Sequence, residues 1–308
     1  MISYSSDMTH QRDESTGAEP VRQSQSRLDT ILSIVVCPTC HGDLMRQAMQ
    51  LYCPACNARY PVHDDRIYFI EPMPQTDKLD SVKNRLKRAF GKAYYSVGVN
   101  LFAPTYPFNY PREVARWRSQ ECSVIVDIGC GNNRVDDAVI TLDGVDYDAV
   151  DIVADVTALP FRSGSVDGFA SRSVLEHIPN VHSAIAEMKR CTRPGGVSLH
   201  LVPFLFPYHA SPHDYQRYTH TGAARLFADW NVIEQRNATG PVTLFLLCLI
   251  EFLSTLFSFG RDELKSLQYL LFCGLLFPIK YLDAPFVGRK KYLGLAPTIF
   301  TVFRKPEA

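Results

Sequence analysis

Four cysteines stand as two pairs, Cys37-Pro-Thr-Cys40 and Cys53-Pro-Ala-Cys56, with twelve residues between the pairs. Four thiolates at this spacing suit the tetrahedral shell of a structural zinc ion in a ribbon, each Pro stiffening its knuckle turn. A redox dithiol or a pair of disulfides uses the same residue type, but neither explains two matched knuckles joined by the strand-like Gln50-Leu-Tyr-Cys53. A second constellation is Val124-Ile-Val-Asp-Ile-Gly-Cys-Gly-Asn-Asn133, an apolar run that ends in an acid and breaks into a glycine turn. Glycine tolerates positive φ and lets backbone N–H groups approach a ligand just beyond the carboxyl end of a strand. The third is the loop from Phe204 to Thr219. There His209 and His213 can accept a proton near neutral pH, Asp214 can orient a histidine, and Tyr208, Tyr215 and Tyr218 offer aromatic walls and hydroxyls. The same residues can equally build a rigid lid, with His213-Asp214 capping a turn and Arg217 pairing with an acid.

The elements that would position these groups follow in a fixed order. Val139-Ile-Thr-Leu-Asp143 is a second short apolar run ending in an acid, and Val150-Asp-Ile-Val-Ala-Asp155 leads into Thr157-Ala-Leu-Pro-Phe161. Asp167-Gly-Phe-Ala-Ser-Arg-Ser173 leads into Val174-Leu-Glu-His-Ile178, and Arg193-Pro-Gly-Gly-Val197 into Ser198-Leu-His-Leu-Val-Pro203. From about Arg112 to Lys305 this order resembles a class I S-adenosylmethionine-dependent methyltransferase of type 11. The resemblance implies an α/β fold: a doubly wound, seven-stranded Rossmann-like sheet that takes a methyl group from S-adenosylmethionine. It places the cofactor on Asp127 and the backbone of Gly129, Cys130 and Gly131, the ribose on Asp143, the adenine amine by Asp155 and Val156, and the methionine end by Ser173. Asp143 stands 16 residues past Asp127, close to the roughly 20-residue interval of a ribose-binding acid after a glycine turn. A nicotinamide-type fingerprint would need a third glycine where Arg134 stands.

The same resemblance turns the loop after the fifth strand toward the transferred methyl group, which makes His209, His213, Asp214 and Tyr215 the candidate catalytic residues. His177 ranks below them, because Glu-His after the fourth strand resembles a fixed turn of the family. A sulfonium donor needs only a well-placed acceptor when the nucleophile is already reactive, so a general base is not obligatory. The ligand cysteines Cys37, Cys40, Cys53 and Cys56, with Tyr60-Pro-Val-His-Asp-Asp-Arg-Ile-Tyr-Phe-Ile70, are similar to small zinc-ribbon proteins that partner tRNA and protein methyltransferases. That likeness implies scaffolding.

Composition and patterning set the rest. A polar tail without periodicity is expected over 1–27, the ribbon over 28–74, a basic amphipathic helix (76–95) and linker over 75–111, and the methyltransferase domain over 112–305. The stretch from Asn133 to Val139 is long enough for only one or two helical turns, with Asp136-Asp137 solvated. Formal net charge is zero, which disfavours an extended nucleic-acid footprint. Nine cysteines, including Cys122, Cys191, Cys248 and Cys273, and a polar start without a secretory pattern point to a reducing, cytoplasmic setting. Between the sixth strand (230–236) and the last (298–303) lies an apolar helical insertion, 242–287. Its two helices (242–259 and 267–279) are marginal against the roughly 20 residues of a membrane span. Glu251, Ser254, Thr255 and Ser258 share one helical face opposite a broad apolar one. Peripheral contact with the inner face of a membrane, burial against the sheet, and pairing in a homodimer all remain open. The expected acceptor is a small molecule, a glycan or a lipid-linked compound. A zinc-ribbon RNA methyltransferase and a non-catalytic cofactor-binding adaptor are the competing readings.

Overall fold

The computed structural model describes residues 19–74, 89, 91, 100–209 and 213–307. The basic helix expected over 76–95 falls outside them apart from residues 89 and 91. Part of the expected tail is instead helix α1, Glu19–Ile34. Its later turns bury Leu28 and Ile31 in the main core, so the polar composition before Arg27 concealed a helix held by its far end.

The ribbon has strands β1 (Met45–Gln47), β2 (Gln50–Tyr52), β3 (Arg59–His63) and β4 (Arg66–Tyr68). The β3–β4 hairpin turns on Asp64 and Asp65, both at positive φ, the backbone of a two-residue primed turn whose twist matches its strands. Because Asp and Asn visit this region most readily among non-glycine residues, the Asp-Asp pair specifies the turn.

Strands β5 (Ile125–Ile128), β6 (Ile140–Asp143), β7 (Ile152–Val153), β8 (Val166–Arg172) and β9 (Thr192–Pro203) are almost entirely buried. Continuous Val and Ile runs of this kind belong to parallel strands covered on both faces. Helix α2, Tyr110–Glu121, starts where the Asn109 side chain accepts the Arg112 N–H, and covers one face with Val114 and Trp117. Helix α3, Val181–Cys191, buries Val181, Ala184, Ile185 and Met188, the i, i+3, i+4, i+7 stripe of a helix, on the other. Alternation along β5 follows: Ile125 joins the α2 side, Val126 and Ile128 the α3 side. Helix α4 (His220–Leu226) precedes β10 (Asn231–Asn237), and β11 (Thr298–Arg304) inserts antiparallel between β9 and β10. Seven strands in the order β7-β6-β5-β8-β9-β11-β10 give the expected sheet, whose order reverses at β5 and β8. That switch point is where the glycine turn after β5 opens.

The sheet does not end there. Strand β4 pairs in parallel with β7, Ile67 beside Ile152 and Tyr68 beside Val153, so that among the described residues the sheet has eleven strands. Arg66 pairs with Asp146 at 3.0 Å beside this joint. The chain from Asn133 to Val139 makes only turns. Asp136, expected to be solvated, caps one of them at Ala138 N–H (2.8 Å) and faces Arg118 at 3.5 Å.

Within the insertion, helices α5 (Pro241–Leu256) and α6 (Asp262–Leu276) pack on each other. The first turn of α5 is held by Asp283, fully buried, which accepts the N–H groups of Gly240, Val242 and Thr243 at 3.1, 2.8 and 2.8 Å. A carboxylate there meets the positive end of the helix dipole. A Cβ on Gly240 would lie 2.5 Å from Asp283 Oδ1, so glycine is required for that cap. The amphipathic sense is the reverse of a water-soluble helix. Ser254 and Ser258 are buried, bonding back to the carbonyls of Glu251 and Thr255, while Phe252 is 62% and Phe259 82% exposed. Glu251 pairs with Lys265 on α6. Among the described residues no helix is long and apolar enough to cross a membrane.

Two buried titratable groups give the sheet a testable pH signature. Burial lowers the His200 imidazole to about 3, between Ser171 Oγ on Nδ1 and Ser198 Oγ on Nε2, both at 2.7 Å. Burial pushes the Asp127 carboxyl up to about 7, though Tyr110 Oη donates to it at 2.7 Å. The unfolded chain protonates His200 near pH 6.5 while the folded chain does not, so His200 makes stability fall as pH drops from about 6.5 toward 3. Asp127 acts oppositely: its folded form holds a proton the unfolded form has lost, so stability falls as pH rises from about 4 to 7. Urea titrations between pH 4.5 and 6.5 should show stability rising more steeply with pH in Asp127→Asn than in the wild type, and less steeply in His200→Asn. The slope differences should reach about 1 kcal/mol per pH unit. Parallel curves for all three proteins would mean that these groups titrate normally.

Candidate active site and metal centre

The two cysteine knuckles are built alike. His41 N–H bonds to Cys37 O at 2.8 Å and Asn57 N–H to Cys53 O at 2.9 Å. His41 and Asn57, each following the second cysteine of its knuckle, are both at positive φ. The four Sγ atoms lie within 4.8 Å of one another, with Cys37 to Cys56 and Cys40 to Cys53 at 3.5 Å. A disulfide needs about 2.05 Å, whereas sulfurs about 2.3 Å from a tetrahedral zinc stand roughly 3.8 Å apart. The donor set therefore fits zinc, and the disulfide alternative does not survive.

At the switch point, Gly129 and Gly131 are at φ 64° and 58°. A Cβ on Gly129 would come within 2.5 Å of Val174 Cγ2, whereas nothing lies within 4 Å of one on Gly131. Gly131 N–H donates to Asp143 Oδ2 and Val145 N–H to Oδ1, both at 2.9 Å. A carboxylate offers about four acceptor sites, so capacity for a diol remains. Burial raises the Asp143 carboxyl above its ordinary range, against the pull of these N–H donors. Cys130 is buried, and burial pushes its thiol up, so the side chain stays neutral while its neighbours present backbone. Arg134, where a nicotinamide fingerprint has glycine, clamps Asp151 through both terminal nitrogens at 3.0 and 2.7 Å. Asp155 Oδ1 holds the Thr157 N–H and Oγ1 at 2.8 Å, and Val156 packs on the core beside it. Ser173, at φ 53°, donates its N–H to Leu201 O at 2.9 Å and starts the turn that brings Val174 onto Gly129. These residues converge on one end of the sheet and fit a cofactor with a ribose diol and an adenine edge.

The loop residues divide. Asp214 is buried and ion-paired with Arg217, and it accepts the His209 N–H at 2.9 Å. Burial alone would raise its carboxyl, but Arg217 and His209 outweigh burial and hold it below the usual carboxylate range. Asp214 thus ties Arg217 and the His209 backbone together within the described part of the loop. His213 is exposed, and its carbonyl accepts from His177 Nδ1 at 2.6 Å, while its ring faces Tyr215. Tyr215 is half exposed and ties its N–H to Glu176 O at 2.9 Å. Of the four candidates His209 is the one whose side chain approaches Glu176, with Nε2 3.4 Å from Glu176 Oε1. His177 meets the same oxygen at 3.7 Å. His209 stood among the catalytic candidates and His177 below them, whereas Glu176, fully buried, was missed as a member of the same cluster. Its signal was a Glu-His pair directly after a buried strand. Beside the loop an open groove of about 520 Å³ is lined by Pro207 together with Cys248, Glu251, Phe252, Thr255 and Leu256 of α5.

Residues 126–199 match the family model of a methyltransferase domain, and residues 29–65 that of a Trm112p-like protein. The chain therefore carries a methyltransferase domain behind a Trm112p-like domain with a four-cysteine cluster. It is 29% identical over 161 residues to the Macaca fascicularis tRNA (carboxymethyluridine(34)-5-O)-methyltransferase ALKBH8, a match covering 47% of this chain and 24% of that protein. It thus spans about a quarter of that relative's length. Among solved structures, the complex between the Haloferax volcanii Trm112 methyltransferase activator and a methyltransferase aligns at 19% identity. Its TM-score is 0.41, covering 74% of this chain and 99% of that one. Haemonchus contortus phosphoethanolamine N-methyltransferase 2 aligns at 16% identity with a TM-score of 0.45, covering 75% and 61%.

Proposed function

We propose that this chain, a methyltransferase domain continued by its own Trm112p-like ribbon, methylates an apolar or lipid-linked acceptor with S-adenosylmethionine as donor. The bound donor supplies an electrophilic methyl carbon on a sulfonium. Asp143 would hold its ribose hydroxyls, Asp155 with Val156 its adenine edge, and the turn from Gly129 to Gly131 with Asp127 and Ser173 its amino acid end. Asp214 and Arg217 keep the loop over the transfer point, and Tyr215 would wall the acceptor. His209, at the inner edge of the loop, would face the acceptor side of the site.

The groove between Pro207 and the exposed apolar side of α5 carries the acceptor assignment. It joins the loop after β9 to a surface of Phe252, Leu256 and Phe257 that water does not favour. Basic residues Arg289, Lys290 and Lys291, all exposed, lie just beyond the insertion and suit an anionic headgroup layer. Peripheral contact of the insertion with a membrane surface belongs to the same reading.

A second reading is kept by one observation, the match to a relative named as a tRNA methyltransferase. Net neutrality argued against nucleic acid, but a local contact needs no overall charge. Incubating the zinc-loaded protein with methyl-labelled S-adenosylmethionine and separate lipid-extract, tRNA and polar-metabolite pools decides between them. Label in the organic phase, with co-sedimentation on anionic vesicles at low salt, is the expected result. Label in tRNA would move the assignment to the second reading, and label in the polar pool alone would remove the lipid acceptor.

A further inference from the structure

We propose that Glu176, His177 and His209 form a second metal centre, for a divalent transition-metal ion, separate from the cysteine ribbon. The three residues reach it from two elements: the 3-10 turn Leu175–His177 after β8, and the loop after β9. Their ligand atoms lie within 4.8 Å of one another. Glu176 is fully buried, and neither carboxylate oxygen has a hydrogen-bond partner. A carboxylate removed from water without a partner is strongly disfavoured, so the structure calls for a cation at that point.

The distances choose the cation. His209 Nε2 and His177 Nε2 stand 3.4 and 3.7 Å from Glu176 Oε1, the first long and the second beyond hydrogen-bond range. Ligand atoms about 2.0–2.1 Å from a shared tetrahedral ion are separated by roughly 3.4 Å. The tautomer also fits: His177 donates Nδ1–H to the His213 carbonyl at 2.6 Å, which leaves the Nε2 lone pair toward Glu176. An outward ring N–H fixed on a carbonyl is the usual support of a metal-bound imidazole. His209 is held through its backbone N–H by Asp214, whose Oδ2 also lies 3.6 Å from the His209 Nδ1, and its ring is edge-on to His177 at 5.0 Å between centroids. Two imidazoles and one carboxylate favour Zn²⁺, Mn²⁺, Fe²⁺ or Co²⁺ over Ca²⁺ or Mg²⁺, which prefer all-oxygen shells.

Three protein ligands leave part of a four- to six-coordinate shell for water or an oxygen-bearing ligand. Val174, two residues before Glu176, packs on Gly129, so the centre adjoins the glycine turn. The inference rests on this geometry and stands whether or not the chain transfers methyl groups.

The test is Co²⁺ titration of the full chain with zinc already in its ribbon, followed by visible absorption with zinc content measured in parallel. Expected is one further equivalent of Co²⁺ with weak d–d bands and no thiolate charge-transfer band. Glu176→Gln, His177→Gln and His209→Ala should each weaken that binding on the order of 100-fold while keeping the ribbon zinc and a cooperative melt. Absence of a second equivalent, binding unchanged in all three variants, or a charge-transfer band with zinc release would each overturn the proposal. So would a Glu176→Gln protein that melts higher and retains the full cobalt signal, because Glu176 would then be a strained structural carboxylate.

Discussion

Cys53→Ser should strip the protein of its ribbon zinc and destabilise the catalytic sheet with it. Cys53 is fully buried and supplies one of four sulfurs to the cluster. Structural zinc contributes about 10–16 kcal/mol of apparent binding free energy in small zinc-binding peptides at neutral pH, as large as a domain's usual net stability of about 5–15 kcal/mol. Leu51, Tyr60 and Val62 of β2 and β3 join the main core, and the metal ties together the knuckles that flank them. The effect spreads because β4 is hydrogen-bonded to β7: Ile67 N–H to Asp151 O at 3.0 Å and Phe69 N–H to Val153 O at 2.8 Å. Metal analysis should show loss of the one zinc held by the four cysteines, and the thermal midpoint should drop by roughly 10 °C or more. Hydrogen exchange should quicken at the amides of Ile67 and Phe69. A variant that loses zinc yet melts with the wild type would show that the ribbon contributes nothing to the sheet.

Asp143→Ala carries the second large effect, on cofactor affinity. A hydrogen bond to a charged group is worth about 1.5–3 kcal/mol, and two ribose hydroxyls on one carboxylate make the loss on the order of 100-fold or more. The same substitution takes the partner from the Gly131 and Val145 N–H groups, so the glycine turn loosens as well. Calorimetric titration with S-adenosylmethionine measures the change, with thermal melting to confirm that the fold persists. Asp143→Asn should fall between, since an amide oxygen still accepts one hydroxyl. Unchanged affinity in the alanine variant would refute the ribose assignment.

The strands of the cofactor half could be read from residues because each is a short, continuous apolar run punctuated by Asp or Gly, and burial on both faces demands that pattern. The zinc knuckles were equally readable, since four sulfurs at two matched spacings have few other uses. The eleventh-strand continuity was not readable. Arg66-Ile-Tyr68 alternates like any hairpin edge, and nothing local says that its free side meets Ile152. The loop was legible only as two equal readings: His213 and Asp214 carry the right chemistry for a base, and the Arg217 ion pair with Asp214 is the lid-building use of the same residues. Glu176 escaped notice because burial without a partner is a property of three dimensions. Helical spacing grouped Ser254, near the end of α5, with Ser258 just beyond it, but could not say that these two serines point inward while Thr255 faces out.

The parallel joint between β4 and β7 also sets an order of assembly. The ribbon precedes its sheet partner in translation, so it can close on its metal while the strand it must pair with is still unmade. Until Ile152 and Val153 arrive, the free edge of β4 is open to any other extended segment, and its brevity, with a charged Arg66 at its start, limits that hazard. A long-range parallel pairing is slow to form because loop closure must precede any reward. The last contact made on folding would then be the one that fastens metal to sheet, and zinc starvation during synthesis would damage yield more than removal of zinc afterwards.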